Sequence, residues 1–327
     1  MRAAMLTRPG GPLEVREVEV PEPGPGQVLV RVRASGVCHT DLYVAAGILP
    51  AELPRTLGHE PAGEIAAVGS GVAARRIGDR VGVLARQGAC GRCEPCARDR
   101  ADSCAERRSA GVQVHGGHAE YMLATADSTV LLPEGLADEQ AAPLLCAGQT
   151  VWSGLLAAAP RPGERVAVVG IGGLGHLAIQ YARAGGFETF AVSRSPDKAE
   201  SARQLGADDV MADGRALQRA GGADVVLVTG ISYRALDEVL RALRPDGRLV
   251  LLGLSAEPLP VSSDFVLRRG RILGVTPGGR EHLHEALALA ARGRVRVMAE
   301  TYPLARVARA YDRLAAGKVR FRAVLLP

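Results

Sequence analysis

The sequence predicts an α/β protein that contains a doubly wound parallel sheet, and two observations carry this prediction. Three spaced glycines, Gly170, Gly172 and Gly175, follow an apolar run that begins at Arg165 and precede apolar residues at helical spacing. Strand-like and helix-like segments then alternate, which is typical of parallel strands joined by helices. The chain has 327 residues, 47% of them hydrophobic, so we expect two domains, each with its own core.

The glycine turn is the first unit of the predicted sheet. In such a turn the first glycine allows a tight bend, the second lets the backbone approach a pyrophosphate, and the third lets helix and strand pack closely. The phosphates bind at the positive end of the helix. This context favours a dinucleotide site over a purely structural glycine turn. The predicted contacts at the turn are Gly170, Gly172, Gly173, Leu174 and Gly175.

The chain before the turn differs in pattern. Residues 1–34 alternate apolar and polar side chains around a stretch rich in proline and glycine, which predicts a strand, a rigid loop and a second strand. Polar clusters beside glycines follow at residues 35–43 and 57–64, and we expect both where strands end. The metal ligands that we consider all precede the glycine turn. We therefore expect the chemistry and the cofactor to come from different parts of the chain.

Four cysteines form a compact cluster with two, two and seven intervening residues. Four thiolates on one short lobe can complete a tetrahedral shell around Zn²⁺ and leave no position for water, so this site would be structural. Iron–sulfur ligation and disulfides are the alternatives, and the two consecutive CxxC steps favour zinc. The predicted ligands are Cys90, Cys93, Cys96 and Cys104.

Cys38 and Cys146 lie outside this lobe. Each could be a small buried apolar residue, which is the usual role of an isolated cysteine. Together with His59, however, they supply the two sulfurs and one nitrogen of a catalytic zinc whose fourth position stays open. The spacing alone leaves both interpretations open.

The segments after the glycine turn complete the predicted sheet. Ser195 is the expected N-cap of a helix that has Pro196 at its first position. We predict strands at residues 186–192, 222–228, 247–252 and 321–326, and helices at 196–205, 232–243, 283–292 and 304–316.

Composition bears on partners and location. The net charge of +5 is spread along the chain, and aromatic residues are only 3%, which argues against a nucleic-acid-binding surface. The N-terminus has no signal-peptide core, and we find no apolar run of about 18 residues, so we expect a cytoplasmic protein that does not enter a membrane. In a reducing cytosol the six cysteines are better explained as metal ligands or thiols than as disulfides.

These motifs, in this order, resemble the zinc-dependent medium-chain alcohol dehydrogenase family nearly from end to end. The resemblance rests on residues 38–41, 58–60 and 146–150, on the four-cysteine lobe and on the glycine turn. It implies a mostly-β, GroES-like catalytic domain at residues 1–147 and 278–327 that carries the structural-zinc lobe. It also implies a Rossmann domain at residues 148–277. Two zinc ions per chain, an alcohol or carbonyl substrate and a homo-oligomer, most simply a tetramer, follow from the same resemblance.

The resemblance also assigns roles around the catalytic zinc. Cys38, His59 and Cys146 would ligate the ion, and the substrate oxygen would take the open position. Asp41 would fix the imidazole of His59. Two further residues match family positions: Glu60, which would lie behind the metal, and Thr40, which would hold the hydroxyl proton.

Two positions depart from the family pattern. Tyr43 stands where the family often has a histidine that passes protons outward, and a phenol with a pKa near 10 is a poor base at neutral pH. We therefore expect Tyr43 to line the substrate entrance and protons to leave through water. Ala85 stands near a position that often carries a bulky aromatic residue, so we expect a wider pocket than ethanol requires.

The segment after the second strand of the sheet bears on cofactor choice. An NAD site usually has an acidic residue about 20 positions beyond the glycines, where it binds the ribose hydroxyl. This chain has Ser193, Arg194 and Ser195 there, with Lys198 one turn later, and these side chains suit a 2′-phosphate. NADP(H) is therefore favoured over NAD(H); the alternative is a plain helix cap with a solvated arginine. The remaining predicted cofactor contacts are His39 and Arg322 at the pyrophosphate, Thr150 and Gly253 near the nicotinamide, and Thr229.

Three other interpretations stay open. A polyol dehydrogenase of the same family often has a carboxylate where this chain has Cys146, and the zinc-free quinone reductase branch lacks these cysteines. A zinc-lobe module that binds nucleic acid is the alternative from another class, and the scarcity of aromatic residues argues against it. Counting the zinc ions distinguishes the zinc-dependent enzyme from the nucleic-acid-binding module, because the enzyme needs two zinc ions per chain and the module needs one.

Overall fold

The computed structural model describes residues 1–98, 100–234 and 236–327. The chain forms two compact units. One comprises Met1–Cys146 and Val297–Pro327, and we call it the cysteine unit; the other comprises Ala147–Arg296, and we call it the glycine-turn unit.

Strands and helices alternate differently in the two units. The strands of the described chain are β1 (Arg2–Leu6), β2 (Leu13–Glu17), β3 (Gln27–Val37), β4 (Arg55–Thr56), β5 (Glu60–Val68), β6 (Arg80–Val83), β7 (Tyr121–Thr125), β8 (Thr129–Leu131), β9 (Arg165–Val169), β10 (Glu188–Val192), β11 (Asp209–Met211), β12 (Ala223–Val228), β13 (Leu243–Leu251), β14 (Arg271–Gly274), β15 (Ala299–Pro303) and β16 (Arg322–Leu326). The α-helices are α1 (His39–Ala45), α2 (Glu94–Ala97), α3 (Asp138–Pro143), α4 (Gln149–Ala158), α5 (Gly175–Ala184), α6 (Pro196–Gln204), α7 (Gly214–Arg219), α8 (Leu236–Arg241), α9 (Ser263–Leu267), α10 (Arg280–Ala291) and α11 (Val307–Ala315). A π turn covers Leu144–Gly148, and 3-10 turns cover Ala101–Ser103, Ala126–Ser128 and Leu304–Arg306.

The glycine-turn unit is built on one parallel sheet with the strand order β11-β10-β9-β12-β13-β14. Val166, Ala167 and Val168 of the central strand β9 are fully buried, because helices cover both faces of such a sheet. The order of the strands reverses between β9 and β12, which is the point where doubly wound sheets bind ligands. The prediction of a doubly wound parallel sheet is confirmed.

The cysteine unit is mostly antiparallel. One sheet has the order β15-β16-β3-β5-β6-β8 with β7 paired to β3, and a smaller one has the order β2-β1-β4. In the larger sheet Gly36 pairs with Glu60 and Val37 pairs with Ala323. The end of β3, the start of β5 and the start of β16 are therefore adjacent, although they are far apart in sequence.

The second boundary between the units differs from the sequence expectation. The sequence placed it after residue 277, whereas the glycine-turn unit extends to Arg296. Gln180 of α5 binds both backbone groups of Arg296: its Oε1 accepts the Arg296 amide at 2.8 Å, and its Nε2 donates to the Arg296 carbonyl at 2.9 Å. Gln140 of α3 binds Val297 in the same way: its Oε1 accepts the Val297 amide at 2.9 Å, and its Nε2 donates to the Val297 carbonyl at 3.0 Å. Neighbouring residues are thus fixed to different units, and nothing in the local sequence indicates these partners.

Most predicted elements are confirmed within a few residues, including Ser195 as the N-cap of α6. The helix expected at 232–243 is observed as Leu236–Arg241, and Ala235 lies outside the described residues. The helix expected at 304–316 begins as a 3-10 turn.

One helical stretch, Asp138–Ala158, is long and apolar enough to cross a bilayer by length and composition, with a mean hydropathy of 1.3. From the sequence we expected no apolar run long enough to span a membrane, and this stretch corrects that expectation. Because 78% of that window is buried inside the protein, the stretch has the character of a core helix.

The ion pair of the buried Arg248 and the partly buried Glu164 gives a test of the packing of the parallel sheet. Arg248 on β13 contacts both Glu164 oxygens at 3.0 and 2.5 Å and donates to the Ala158 carbonyl at 3.0 Å. We expect Arg248→Met to lower the free energy of unfolding, measured by urea titration, by about 1 to 3 kcal/mol, because it leaves a partly buried carboxylate without its charged hydrogen-bond partner. Arg241→Met removes the exposed ion pair with Asp237 and is the control; it should lower the free energy of unfolding by less than about 1 kcal/mol in the same urea titration.

The hydrogen bond from Arg248 lowers the pKa of Glu164, so the effect has a defined pH dependence. A lowered pKa in the folded state stabilises the protein above the ordinary value of 4.5, and this contribution disappears as the pH falls through the folded-state pKa. The difference between the native protein and Arg248→Met should therefore shrink on acidification. Equal stabilities at neutral pH would contradict the assignment.

Candidate metal centres and dinucleotide turn

The adjacent strand ends of the cysteine unit bring together four potential metal ligands. Cys38 follows β3, His59 precedes β5, Glu60 begins β5, and Cys146 lies on the π turn. One ligand atom from each lies within 4.8 Å of every other. The relative exposure of Cys38 is 7%, that of His59 is 6%, and Glu60 is fully buried. The structure thus places together the sulfurs and nitrogen that the resemblance implied.

Asp41 orients the imidazole of His59. Its Oδ1 lies 3.1 Å from His59 Nδ1, and its Oδ2 accepts the Cys38 amide at 2.8 Å. The carboxylate comes from the first turn of α1, so one short helix holds both contacts. Burial lowers the pKa of His59, but the charges and hydrogen bonds of Asp41 and Cys38 together outweigh burial and raise this pKa well above its usual value. With Nδ1 facing Asp41, Nε2 is directed to the other ligand atoms.

Cys38 has the electrostatic environment of a metal-binding thiolate. The hydrogen bond from Cys146 holds the pKa of Cys38 well below its usual value, and His59 contributes in the same direction. The thiolate is the form that binds metals. Two clustered cysteines and an oriented histidine form a donor set that fits Zn²⁺.

Glu60 is engaged from behind by Arg322 of β16. Nη2 of Arg322 lies 2.6 Å from each carboxylate oxygen, and both side chains are buried. Burial raises the pKa of Glu60 to about 7, and the Arg322 charge opposes this shift. Glu60 Oε1 lies 3.9 Å from His59 Nε2. The carboxylate is therefore close to the ligand atoms but already paired, which leaves two sulfurs and one nitrogen as unshared donors.

Other predicted residues of this site occupy defined positions. Thr40 Oγ1 lies 3.8 Å from Cys38 Sγ, so its hydroxyl is at the cluster. His39 and Tyr43 lie on α1, and Ala85 follows β6; all three are half-buried. The substrate-pocket roles of Tyr43 and Ala85 stay predictions. Arg322 uses Nη2 on Glu60, and its Nε has no hydrogen-bond partner within the described ranges. Its predicted contact with a pyrophosphate also stays a prediction.

The four cysteines of the lobe have the geometry of a closed tetrahedral site. Ligands at about 2.3 Å from a tetrahedral zinc lie about 3.8 Å from one another. Cys90 Sγ lies 3.6 Å from Cys104 Sγ and 4.0 Å from Cys96 Sγ. The amide of Cys93 also points at Cys90 Sγ at 3.4 Å, and backbone and thiol hydrogen bonds lower the pKa of Cys90 to about 6. The residues present therefore fit the predicted structural zinc.

In the glycine-turn unit, the spaced glycines join β9 to α5. A Cβ on Gly175 would lie 1.9 Å from the Gly170 carbonyl oxygen, so the close approach of helix and strand requires glycine. Gly172 has no atom within 4 Å of the position of such a Cβ, which leaves room beside the backbone. Gly173 and Leu174 complete the turn before the helix N-terminus. These features are those that a pyrophosphate requires.

Two side chains fix this turn. His176 is fully buried, and its Nδ1 lies 3.0 Å from the Gly172 carbonyl oxygen. Thr229, after β12, donates its hydroxyl to the Gly170 carbonyl at 2.6 Å. The sequence indicated Thr229 only as a cofactor contact, and it gave His176 no role. Its position directly after the third glycine was the available signal.

The segment expected to select the cofactor follows β10. Ser193 accepts the Ser195 amide at 3.3 Å, and the Ser195 hydroxyl binds Asp197. Arg194 is exposed and forms no ion pair with the described residues. Lys198 is half-buried on α6.

The predicted nicotinamide contacts lie on other elements of the same unit. Thr150 is buried in the first turn of α4. Gly253 follows β13, and a Cβ there would lie 2.1 Å from the Gly230 carbonyl oxygen. Cofactor contact at both residues stays a prediction.

One buried histidine lies near the metal cluster. His118 is fully buried, and its Nδ1 lies 2.9 Å from Ser35 Oγ. Burial lowers its pKa to about 4, so the ring is neutral at neutral pH. The ring packs against Gly58 beside His59. Its role is structural support for that loop.

Comparison with known proteins agrees with this arrangement. Residues 24–134 match the family described as alcohol dehydrogenase GroES-like domain, and residues 173–292 match zinc-binding dehydrogenase. An alcohol dehydrogenase of Geobacillus stearothermophilus is 42% identical over 334 residues, covering 99% of each chain. The chain belongs to the zinc-binding alcohol dehydrogenase family. The expected GroES-like domain and Rossmann sheet are thereby confirmed.

Solved structures of this family have the same fold. An NAD-dependent alcohol dehydrogenase superimposes with a TM-score of 0.92 at 31% identity and 100% coverage of both chains. CAD from Helicobacter pylori in complex with NADP(H) gives a TM-score of 0.90 at 26% identity, covering 99% of this chain and 97% of its own. The family therefore includes structures described with either cofactor.

Asp41 gives a direct test of the metal centre. Asp41→Asn keeps the side-chain shape but removes the charge that orients and polarises His59. We expect zinc retention at this centre to weaken about 10- to 100-fold, measured by competition with a chromogenic chelator. Asp213→Asn, which changes the N-cap of α7 in the glycine-turn unit, should leave zinc retention unchanged. Equal retention in both variants would contradict the assigned role of Asp41.

Proposed function

We propose that this protein is a zinc-dependent oxidoreductase that transfers a hydride between NADP(H) and a primary or secondary alcohol, or the corresponding aldehyde or ketone. The observation that carries this proposal is the cluster of the buried Cys38 and His59 with the half-buried Cys146, beside which Glu60 is held by Arg322. Such a set leaves one position of a tetrahedral ion open to a substrate oxygen. A closed four-cysteine site could not do so.

The side chains around this open position have separate tasks. When bound, zinc acts as a Lewis acid that lowers the pKa of an alcohol or polarises a carbonyl. Asp41 keeps the imidazole of His59 in one orientation, and Arg322 keeps Glu60 paired. Thr40 has its hydroxyl near the cluster and would hold the substrate hydroxyl proton. Tyr43 would line the entrance, and protons would leave through water.

The glycine turn would hold the cofactor through its pyrophosphate. His176 and Thr229 fix the turn from inside, so its amides are oriented before the nucleotide binds. The NADP(H) preference is supported by Arg194, an exposed guanidinium without an ion-pair partner among the residues described, in a segment with no aspartate or glutamate at positions 193–195. Ser193, Ser195 and Lys198 would complete the phosphate site.

Other features of the proposal follow the family. Cys146, where polyol-type relatives often have a carboxylate, supports simple alcohols and aldehydes as substrates. The proposal includes a cytoplasmic location and a homo-oligomer, with a tetramer favoured by the resemblance.

Metal content and turnover test the proposed reaction together. We expect two zinc ions per chain by elemental analysis, and oxidation of NADPH when aldehydes of increasing size are supplied. Cys146→Ser should retain one zinc and lose turnover, because it removes a ligand of the open site but leaves the lobe intact. One zinc in the native protein and no turnover with either cofactor would reject the enzyme and favour the zinc-lobe binding module.

Arg194 tests the cofactor preference. A charge-assisted hydrogen bond is worth about 1.5 to 3 kcal/mol, or roughly 10- to 100-fold in binding. We expect Arg194→Ala to lower kcat/KM for NADPH by that factor and to leave kcat/KM for NADH nearly unchanged. Arg203→Ala, an exposed arginine on α6, is the matched control and should alter neither value. A native enzyme that prefers NADH would overturn the NADP(H) proposal.

A further inference from the structure

A cavity of about 690 Å³ lies in the cysteine unit and has no function in the proposed reaction. It is bounded by residues of β1, β3, β4 and β7 and of the loops that follow β2 and precede β4 and β7, all between Met1 and Thr125. None of the metal-centre residues lines it. Its volume is in the range of sites that bind small organic molecules, about 300 to 1,000 Å³.

The body of the cavity is apolar and deformable. Met1, Met5 and Met122 contribute to its wall, together with Val114 and Leu123. Methionine side chains are unbranched and polarisable, so they adapt to ligands of irregular shape. A wall of this kind favours a hydrocarbon chain or an aromatic ring over a sugar or a nucleotide.

Three side-chain acceptors of the lining are already occupied by backbone amides, so apart from the exposed Glu19 carboxylate the side chains offer mainly donors. Gln87 Oε1 accepts the Thr125 amide at 3.1 Å, and Gln27 Oε1 accepts the Gly24 amide at 3.0 Å. His115 Nδ1 accepts the Thr56 amide at 3.2 Å. The neutral ring therefore carries its proton on Nε2, which can donate to a ligand.

The charges at the rim have the same preference. Arg108 lines the cavity and, among the described residues, makes one side-chain hydrogen bond, from Nη2 to the Gln113 carbonyl at 3.2 Å. The rest of its guanidinium remains available. Burial and, to a smaller extent, the charge of the nearby Arg55 lower the pKa of His115, so its ring is neutral at neutral pH. Among the described residues that line the cavity, Glu19 is the only acidic one, and it is exposed.

We propose that this cavity binds a small amphipathic monocarboxylate, whose apolar part packs against the methionines and whose carboxylate accepts hydrogen bonds from Arg108 and His115. A carboxylate matches the available donors of Arg108 and His115, and a hydrocarbon part matches the wall. The site is separate from the metal centre, so this inference does not depend on the proposed hydride transfer.

Methyl NMR of the full-length, zinc-loaded protein tests the proposal with octanoate as the probe. The chain has five methionines, of which Met1, Met5 and Met122 line the cavity, while Met211 and Met298 do not. With ¹³C-methyl methionine, octanoate should shift the first three signals saturably and leave the other two unchanged. Octanoate bound only at a zinc ion would not give this pattern.

Two comparisons test the carboxylate itself. Arg108→Ala should weaken octanoate binding about tenfold, whereas Arg107→Ala, an exposed neighbour outside the lining, should not. Octan-1-ol, which has the same chain without the charge, should bind more weakly than octanoate. The proposal is overturned if the signals of Met1, Met5 and Met122 do not shift at about 10 mM octanoate, or if all five methionine signals shift alike. It is also overturned if octan-1-ol binds as tightly as octanoate and Arg108→Ala binds octanoate as tightly as Arg107→Ala does.

Discussion

The ion pair between Arg322 and Glu60 is the constraint on which the metal centre depends. Glu60 is fully buried beside the predicted zinc ligands, and an unpaired carboxylate there would cost several kcal/mol. Its partner comes from β16, at the other end of the chain. The last strand must therefore return to β3 before the centre is complete. This explains why the cysteine unit is built from both ends of the sequence.

The dinucleotide turn also depends on contacts from residues other than its three glycines. The glycines give the backbone its freedom, but Thr229 and His176 determine which shape it takes. Both residues bind carbonyl groups on the inner side of the turn. The amides are left for a ligand, and the cost of orienting them is met during folding. A glycine motif without these two contacts would be a more flexible loop.

The sequence predicted features that depend on local spacing. The four-cysteine lobe and the strand–turn–helix unit are each written within a short segment, and the observed geometry agrees with both. Cys38, His59 and Cys146 were considered as a ligand set from their residue types, but only the family resemblance favoured that interpretation, because their meeting depends on the pairing of distant strands. The boundary after Arg296 was missed for the same reason, since Gln140 and Gln180 hold it from more than a hundred residues away. The burial of His118 could not be predicted either, because it depends on neighbours from other elements and not on a periodic pattern in the local sequence.

The close spacing of the lobe sulfurs also affects how the protein must be handled. While a metal occupies the lobe, its thiolates are protected from oxidation. Once the metal is lost, sulfurs 3.6 to 4.0 Å apart can be joined by air into cystines, and these do not rebind a cation. Chelators in a storage buffer would thus inactivate a preparation gradually, and zinc added afterwards would restore it only if a reductant came first.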